Sequence, residues 1–327
     1  MKKRVALLAT ALLSVSLLTG CGEVAKVSLA ANWYGDTSIT NAINGTEETL
    51  VYDVTYQSAG STNKYYSVKY DIGRYVTKLT NDIYTWDDGS KEEVYKLESS
   101  LTISGAYTMD ETSVAFDDLI TSVTYFRPVT ANLTPIYSEK HVRSTSPTAL
   151  VPEDAEHMCV TYDYTNYIVY EKDLSKATVT TKWTNSDTPT VKEYALGVSG
   201  SIFDNEVLLF AGRGMNFTSS SSSNATAYTA SVLGVEVGKV QTVKYAYSSA
   251  QNTRFMLNGS ELEIPTKTVT LSLGGNYAGA AQTLVYADKV TTGVNTYRNV
   301  LISMKTSLSY SLGSLTYTLV EASFTNK

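Results

Sequence analysis

The sequence holds only two cysteines, two histidines and six prolines in 327 residues. So few thiols and imidazoles exclude a disulfide-stapled scaffold and a Cys/His zinc module. Charged side chains make up 18% of the chain, below the usual ~25%. The longest apolar run, Val5 to Leu18, has fourteen residues, short of the ~20 that a membrane-spanning helix needs. Basic residues are also sparse. Three of the 26 (Lys2, Lys3, Arg4) sit in the first four positions, so the chain beyond residue 20 carries 23 basic against 32 acidic side chains, a net charge of −9. Nucleic-acid binding depends on clustered cations, and no nucleic-acid partner is expected. There is no phosphate-binding glycine loop, HExxH, GxSxG, CxxC or complete calcium loop. Ser, Thr and Tyr carry the polarity instead. Tyrosine outnumbers phenylalanine 25 to 7, and a hydrophobic content of 43% supports a real core.

The N-terminus carries one specific pattern. A cationic start precedes the apolar run, which has the length of a signal-peptide core. Leu18-Thr19-Gly20-Cys21 follows. These residues resemble the bacterial lipoprotein signal, whose lipobox reads Leu, a small residue, Gly or Ala, then Cys. The resemblance covers residues 1–22 and is silent on the rest. It implies removal of residues 1–20, a diacylglyceryl thioether with fatty-acyl chains such as palmitate on Cys21, and an extracytoplasmic, membrane-anchored protein. Gly22 lacks the retention signal of an Asp at that place, so an outer membrane is favoured if the host has one. Residues 21–32 form a short tether.

Beyond the tether, period-two alternation predicts a mainly β protein, with long, twisted antiparallel sheets and one or two short helices. The clearest case is Tyr95, Leu97, Leu101, Ile103, Tyr107 and Met109 on one face, with Lys96, Glu98, Ser100, Thr102 and Ser104 on the other. Its fifteen residues would span ~50 Å at about 3.3 Å each, and Gly105 is expected to mark a bend or bulge. Further strands are expected over 50–57, 65–79, 158–170, 177–183, 240–247, 261–273, 300–310 and 314–324. Asp87-Asp88-Gly89, Asn258-Gly259, Gly274-Gly275-Asn276 and Leu312-Gly313-Ser314 supply turns. A helix is expected after Asp204, with Val207, Leu208 and Ala211 on one face and Gly212 and Gly214 ending it. Residues 117–126 fit either a helix or a strand.

Four prolines (Pro128, Pro135, Pro147, Pro152) fall within 25 residues and favour a module boundary or a long crossing loop. The expected organisation is therefore a β module over 33–150 and another over 151–327, or one continuous domain. Phe116-Asp117-Asp118 recurs as Phe203-Asp204-Asn205, and Val160-x-Tyr162-x-Tyr164 as Val243-x-Tyr245-x-Tyr247, which is compatible with a diverged duplication. The serine run Ser219 to Ser223 reads as a surface loop.

Candidate chemistry is thin. His157 and Cys159 would share a strand face, and with His141 they form a weak set of soft-metal ligands. Asp117, Asp118, Asp204 and Glu206 are the acidic candidates for a hydrolase pair. No cofactor is indicated. Tyr162, Tyr164, Tyr167 and Tyr170 are the candidate ligand-binding residues, because tyrosine joins a rigid ring to a polar tip. Three functions follow. The leading one is a non-catalytic binding or structural role through an aromatic sheet surface, facing a polysaccharide, a peptide or an envelope protein. The second is carriage of an acyl or lipid ligand in a half-closed sheet, an architecture similar to the periplasmic lipoprotein-carrier folds. The third is a hydrolase with an acidic or His/Cys site. A deep apolar cavity, a flat aromatic strip or a cleft of titratable groups would separate them.

Overall fold

A computed structural model describes residues 25–26, 46–60, 67–128, 132–149, 151–152, 154–197, 201–215, 227–235, 238–273, 281–292 and 295–326. The protein is mainly β, with 74% in strands and a single helical stretch of 10 residues. The strands are β1 (Ala25–Lys26), β2 (Thr46–Gln57), β3 (Ser67–Thr85), β4 (Lys91–Met109), β5 (Thr112–Phe126), β6 (Pro135–Pro147), β7 (Cys159–Tyr170) and β8 (Lys176–Trp183). They continue as β9 (Thr190–Ala195), β10 (Ile202–Phe203), β11 (Ala227–Gly234), β12 (Lys239–Leu257), β13 (Ser260–Leu273), β14 (Gln282–Thr292), β15 (Asn295–Ser307) and β16 (Ser314–Asn326).

All sixteen belong to one sheet in the order β1-β11-β12-β13-β14-β15-β16-β2-β3-β4-β5-β6-β7-β8-β9, with β10 also on β11. Only β1 and β10 pair in parallel. The rest are antiparallel, most of them between strands that follow one another in the chain, whereas β16 and β2 pair although they are far apart in sequence. Asn258 (φ 50°) and Gly259 (φ 76°) join β12 to β13. Both need the left-handed region, as a two-residue hairpin turn requires.

Alternation is realised as read: Tyr95, Leu97, Ile103 and Tyr107 of β4 are buried on the inner face. The outer face of β4 carries Lys96, Glu98, Ser100, Thr102 and Ser104. No helix among the described residues is long and apolar enough to cross a membrane.

The sheet curls because it is bulged. Register shifts fall after Tyr70, Tyr247 and Leu319, and again at Val285/Tyr286 and Tyr125/Phe126. Each extra residue sharpens the twist. The bulge expected at Gly105 lies instead on its partner strand β3, between Tyr70 and Ile72. Gly105 is required by close approach: a Cβ there would lie 2.1 Å from the Lys69 carbonyl oxygen. Curling brings the far ends together. Ile168, Tyr170, Val179 and Leu196 from one end pack with Ile202 and Leu233 at the other.

The structure describes two segments that the sequence left open. The proline-rich segment contains β6, which pairs with both β5 and β7. Pro135 and Pro147 are its first and last residues, where a missing N–H does least damage to the ladder. The ambiguous segment 117–126 is part of β5, as its β-branched residues favour. The two copies of the Phe-Asp motif hold different structures. Phe116 to Asp118 lie within β5, whereas Asp204 caps the helical stretch, so that motif marks no structural repeat.

Candidate functional site

The helical stretch Asn205–Gly214 is inserted against the sheet's inner face. It runs as a 3-10 turn (Asn205–Val207), one α turn, α1 (Leu208–Ala211), and a second 3-10 turn (Gly212–Gly214). The Asp204 carboxylate caps it, accepting from Glu206 N at 2.9 Å. Gly212 lies in the ordinary helical region (φ −56°), so a left-handed cap does not end the helix there. Its role is spatial, because a Cβ would sit 2.3 Å from the Tyr286 hydroxyl.

Tyrosine hydroxyls hold this insertion. Tyr245 donates to the Leu208 carbonyl at 2.9 Å and Tyr286 to the Leu209 carbonyl at 2.8 Å. Asn299 donates to the Arg213 carbonyl at 2.6 Å. Arg213 Nη1 donates to both Glu48 oxygens at 2.7 and 2.9 Å. The two side chains are 1% and 2% exposed. Burial raises the Glu48 carboxyl above its ordinary range even against the Arg213 charge. At the other end, Lys140 Nζ donates to Glu206 at 2.8 Å. Burial pushes Glu206 upward, but Lys140 outweighs it and holds the carboxyl below its usual range. Tyr170 donates to Asp204 at 2.5 Å, and burial, with the Glu206 charge, raises Asp204 to about 6.

A cavity of about 130 Å³ opens between the insertion and two facing walls of the sheet. One wall comes from β3 to β6 and includes Tyr70, Tyr75, Leu101, Asp118 and Lys140. The other comes from β13 to β16 and includes Leu271, Gln282, Met304 and Tyr317. Leu208 and Leu209 of α1 line it as well. Gln282 is 6% exposed, and its Oε1 has no hydrogen-bond partner among the described residues. Asp118 accepts from Ser144 Oγ at 2.6 Å and Thr145 N at 2.8 Å. Burial raises its carboxyl to about 6. A smaller void of about 30 Å³ lies beside Phe210 and Arg213, room for about one water.

The four candidate tyrosines do not form one surface. Tyr170 is buried against Asp204, and Tyr164 is buried beside Trp183 at 4.9 Å between ring centres. Tyr162 lies farther from Trp183, at 6.5 Å. Tyr167 sits opposite Glu139, at the alternate parity of the strand and so on the outer face. The His/Cys set is spread out. His157 lies in the turn before β7, where strand alternation does not apply, and is bonded to Asp154. His141 contacts Thr165 and lies 3.9 Å from Asp163. Cys159 is half-buried, and burial pushes its thiol up to about 11. Among the described residues, no three His, Cys, Asp or Glu side chains are grouped to hold a metal ion. Of the acidic candidates, Asp117 is exposed beside Arg143, whereas Asp118, Asp204 and Glu206 lie inside. Cys21 and the serine run lie outside the described residues.

The aromatic strip that does form is on the outer face and uses other residues. Tyr84 and Tyr125 meet at 5.6 Å, Tyr125 and Tyr137 at 6.2 Å, and Tyr84 and Trp86 at 5.2 Å. Arg127 and Lys172 each stand 5.4 Å from the Trp86 ring centre. The register of β3 to β6 sets this row, and no window of sequence contains it. Gln282 was missed for the same reason, since it meets Asp118 and Lys140 only once the sheet has curled. The chain matches no protein-family model, no curated protein and no solved structure.

Proposed function

We propose that this is a membrane-anchored, extracytoplasmic binding protein without catalytic activity, tethered through Cys21, that holds a small amphiphilic ligand inside its curled sheet. The observation that carries this reading is the partly open, largely apolar cavity with the unpartnered Gln282 oxygen in its wall. A buried polar group without a partner costs about 1–3 kcal/mol, and a ligand donor relieves that cost. The volume restricts the occupant. An apolar cavity of ~150 Å³ takes benzene, so about 130 Å³ fits a hydrophobic group of roughly six carbons. Longer acyl chains exceed it. The acidic side chains near the insertion, Asp204 and Glu206, are already bonded to Tyr170 and Lys140, which supports binding over hydrolysis.

The test is to purify the full chain from membranes and identify small molecules released on denaturation, beside a variant filled by Met304→Trp. A compound held by the wild type and lost from the folded filled variant is expected. Equal recovery from both would exclude the cavity. Replacing Cys21 by Ser should abolish fatty-acid labelling and release the protein from membranes. Retained labelling would refute the anchor.

The Trp86-Tyr84-Tyr125-Tyr137 row favours a second reading, contact with a polysaccharide, peptide or envelope protein on the outer face. Tyr84→Ser with Tyr125→Ser would weaken such contact while leaving the cavity intact.

A further inference from the structure

We propose that the cavity is a site for a small organic cation, an ammonium group carried on a hydrophobic body of about six carbons. The inference rests on the cavity reading above and adds the charge of the ligand. Its basis is an imbalance between acceptors and donors. Asp118 occupies the inner face of β5, beside Phe116 and Ile120 in alternation. Its carboxylate is bonded by two neutral donors, Ser144 and Thr145. Among the described residues no Lys or Arg is ion-paired to it. Arg143 turns instead to Asp117, with Nη2 at 3.7 Å from that carboxylate. The one ammonium in the cavity wall, Lys140, is bonded to Glu206 at 2.8 Å, so that pair is neutral as a unit. Asp118, which the Arg143 charge reaches only from beyond ion-pair distance, is left as the one carboxylate of the site with no bonded cation among the described residues.

The neutral groups point the same way. Gln282 Oε1 is a buried acceptor with no donor among the described residues. Tyr70, Tyr75 and Tyr317 all line the cavity. The Tyr75 and Tyr317 rings meet edge-on at 5.7 Å. The hydroxyl of Tyr70 is engaged with Tyr107 and that of Tyr75 with Ser99, which leaves ring faces for the ligand. Aromatic faces attract cations. A carboxylate, a carbonyl oxygen and three π systems together ask for a group that donates and carries positive charge. An ammonium has three donors and no acceptor. A carboxylate ligand would meet Asp118 as a like charge. An alcohol would satisfy Gln282 but leave Asp118 without a bonded cation.

Four probes share one ring and differ in charge and donor: benzylammonium, benzyl alcohol, toluene and benzoate. Their binding to the full chain in lipid nanodiscs at pH 7.5 is measured by calorimetry, with Asp118→Asn, Gln282→Leu and the filled Met304→Trp protein alongside. Benzylammonium is expected to bind at least tenfold more tightly than benzyl alcohol, and benzoate not to bind. Asp118→Asn should erase the preference for the cation while benzyl alcohol still binds, which shows that the variant is folded. Gln282→Leu should weaken both donor-bearing probes and not toluene. If benzyl alcohol or toluene binds as well as benzylammonium to the wild type, or Asp118→Asn leaves the cation's affinity unchanged, the cation assignment is overturned and the cavity reading survives. If no probe binds, or Met304→Trp binds them all as the wild type does, both are overturned.

Discussion

The inner and outer faces of the sheet use the same amino acid for opposite ends. On the inner face Tyr52, Tyr245 and Tyr286 are at most 2% exposed, and each donates to a backbone carbonyl, those of Leu301, Leu208 and Leu209. Two of these bonds reach the inserted stretch, so the inner tyrosines are struts. On the outer face Tyr84, Tyr125 and Tyr137 are only half-buried and meet one another at tilted angles. They lie about the start of β4, where Val94 is fully buried although it lies on the outer side. The difference teaches that tyrosine abundance does not itself describe a binding surface. A hydroxyl that reaches a buried backbone carbonyl makes the residue part of the frame.

The largest expected effect comes from breaking the deepest strut. Arg213→Met leaves Glu48 charged and buried, and should lower unfolding free energy by about 3–5 kcal/mol in urea titration. Pairing it with Glu48→Leu should recover much of that loss, because the desolvated charge is gone.

The next effect depends on pH. Asp118 and Asp204 are each raised to about 6 in the folded state, from an ordinary 3.8. Between those values the folded chain holds protons that the unfolded chain has released, so stability falls as pH rises from about 4 to 6. The loss is up to about 3 kcal/mol for each group. Glu206, held low by Lys140, acts in the opposite sense and loses its contribution below its ordinary value of 4.5. Greatest stability is expected between pH 4 and 5, and Asp204→Asn should flatten the fall above it. A stability profile that rises steadily from pH 4 to 7 would contradict this assignment.

A direct comparison of the two faces needs only one atom. Tyr286→Phe strands the Leu209 carbonyl and should cost about 1–3 kcal/mol, whereas Tyr125→Phe on the outer face should stay within about 0.5 kcal/mol. Equal costs would erase the distinction. Asn258→Ala should fall between them. Its side chain bonds both the N–H and the carbonyl of Ala322, at 3.0 and 2.9 Å, beside the register shift in β16.

Much of the fold was legible because period-two alternation is local. Tyr95 to Met109 announces its inner face residue by residue, and Asn258-Gly259 announces its turn. β6 was not legible, because two prolines at strand ends look from the sequence like two prolines in a loop. The helix was read from Asp204 and Glu206, and its end at Gly212 and Gly214, where α1 and the last 3-10 turn do stop. The reason for Gly212 was not legible, since it is the Tyr286 hydroxyl from a distant strand. The cavity was illegible in principle. Asp118 and Gln282 are 164 residues apart in the chain, and only the accumulated bulges bring their strands to face one another. The outer row was hidden in the same way, each member lying on its own strand.

The place of β16 has a consequence for the order of events in folding. It is the last of the sixteen strands in chain order, yet it sits between β15 and β2 in the middle of the sheet. Until residues 314–326 are available, β2 to β9 and β10 to β15 are two separate ribbons, each with an open edge. Edges of that kind invite pairing with foreign chains, and pairings this distant along the chain form slowly. Pairing of residues 314–326 with β2 is thus expected to be a slow step of assembly. A chain that loses those residues by premature termination keeps nearly all of its strands but has no seam to join them, which makes aggregation its expected fate.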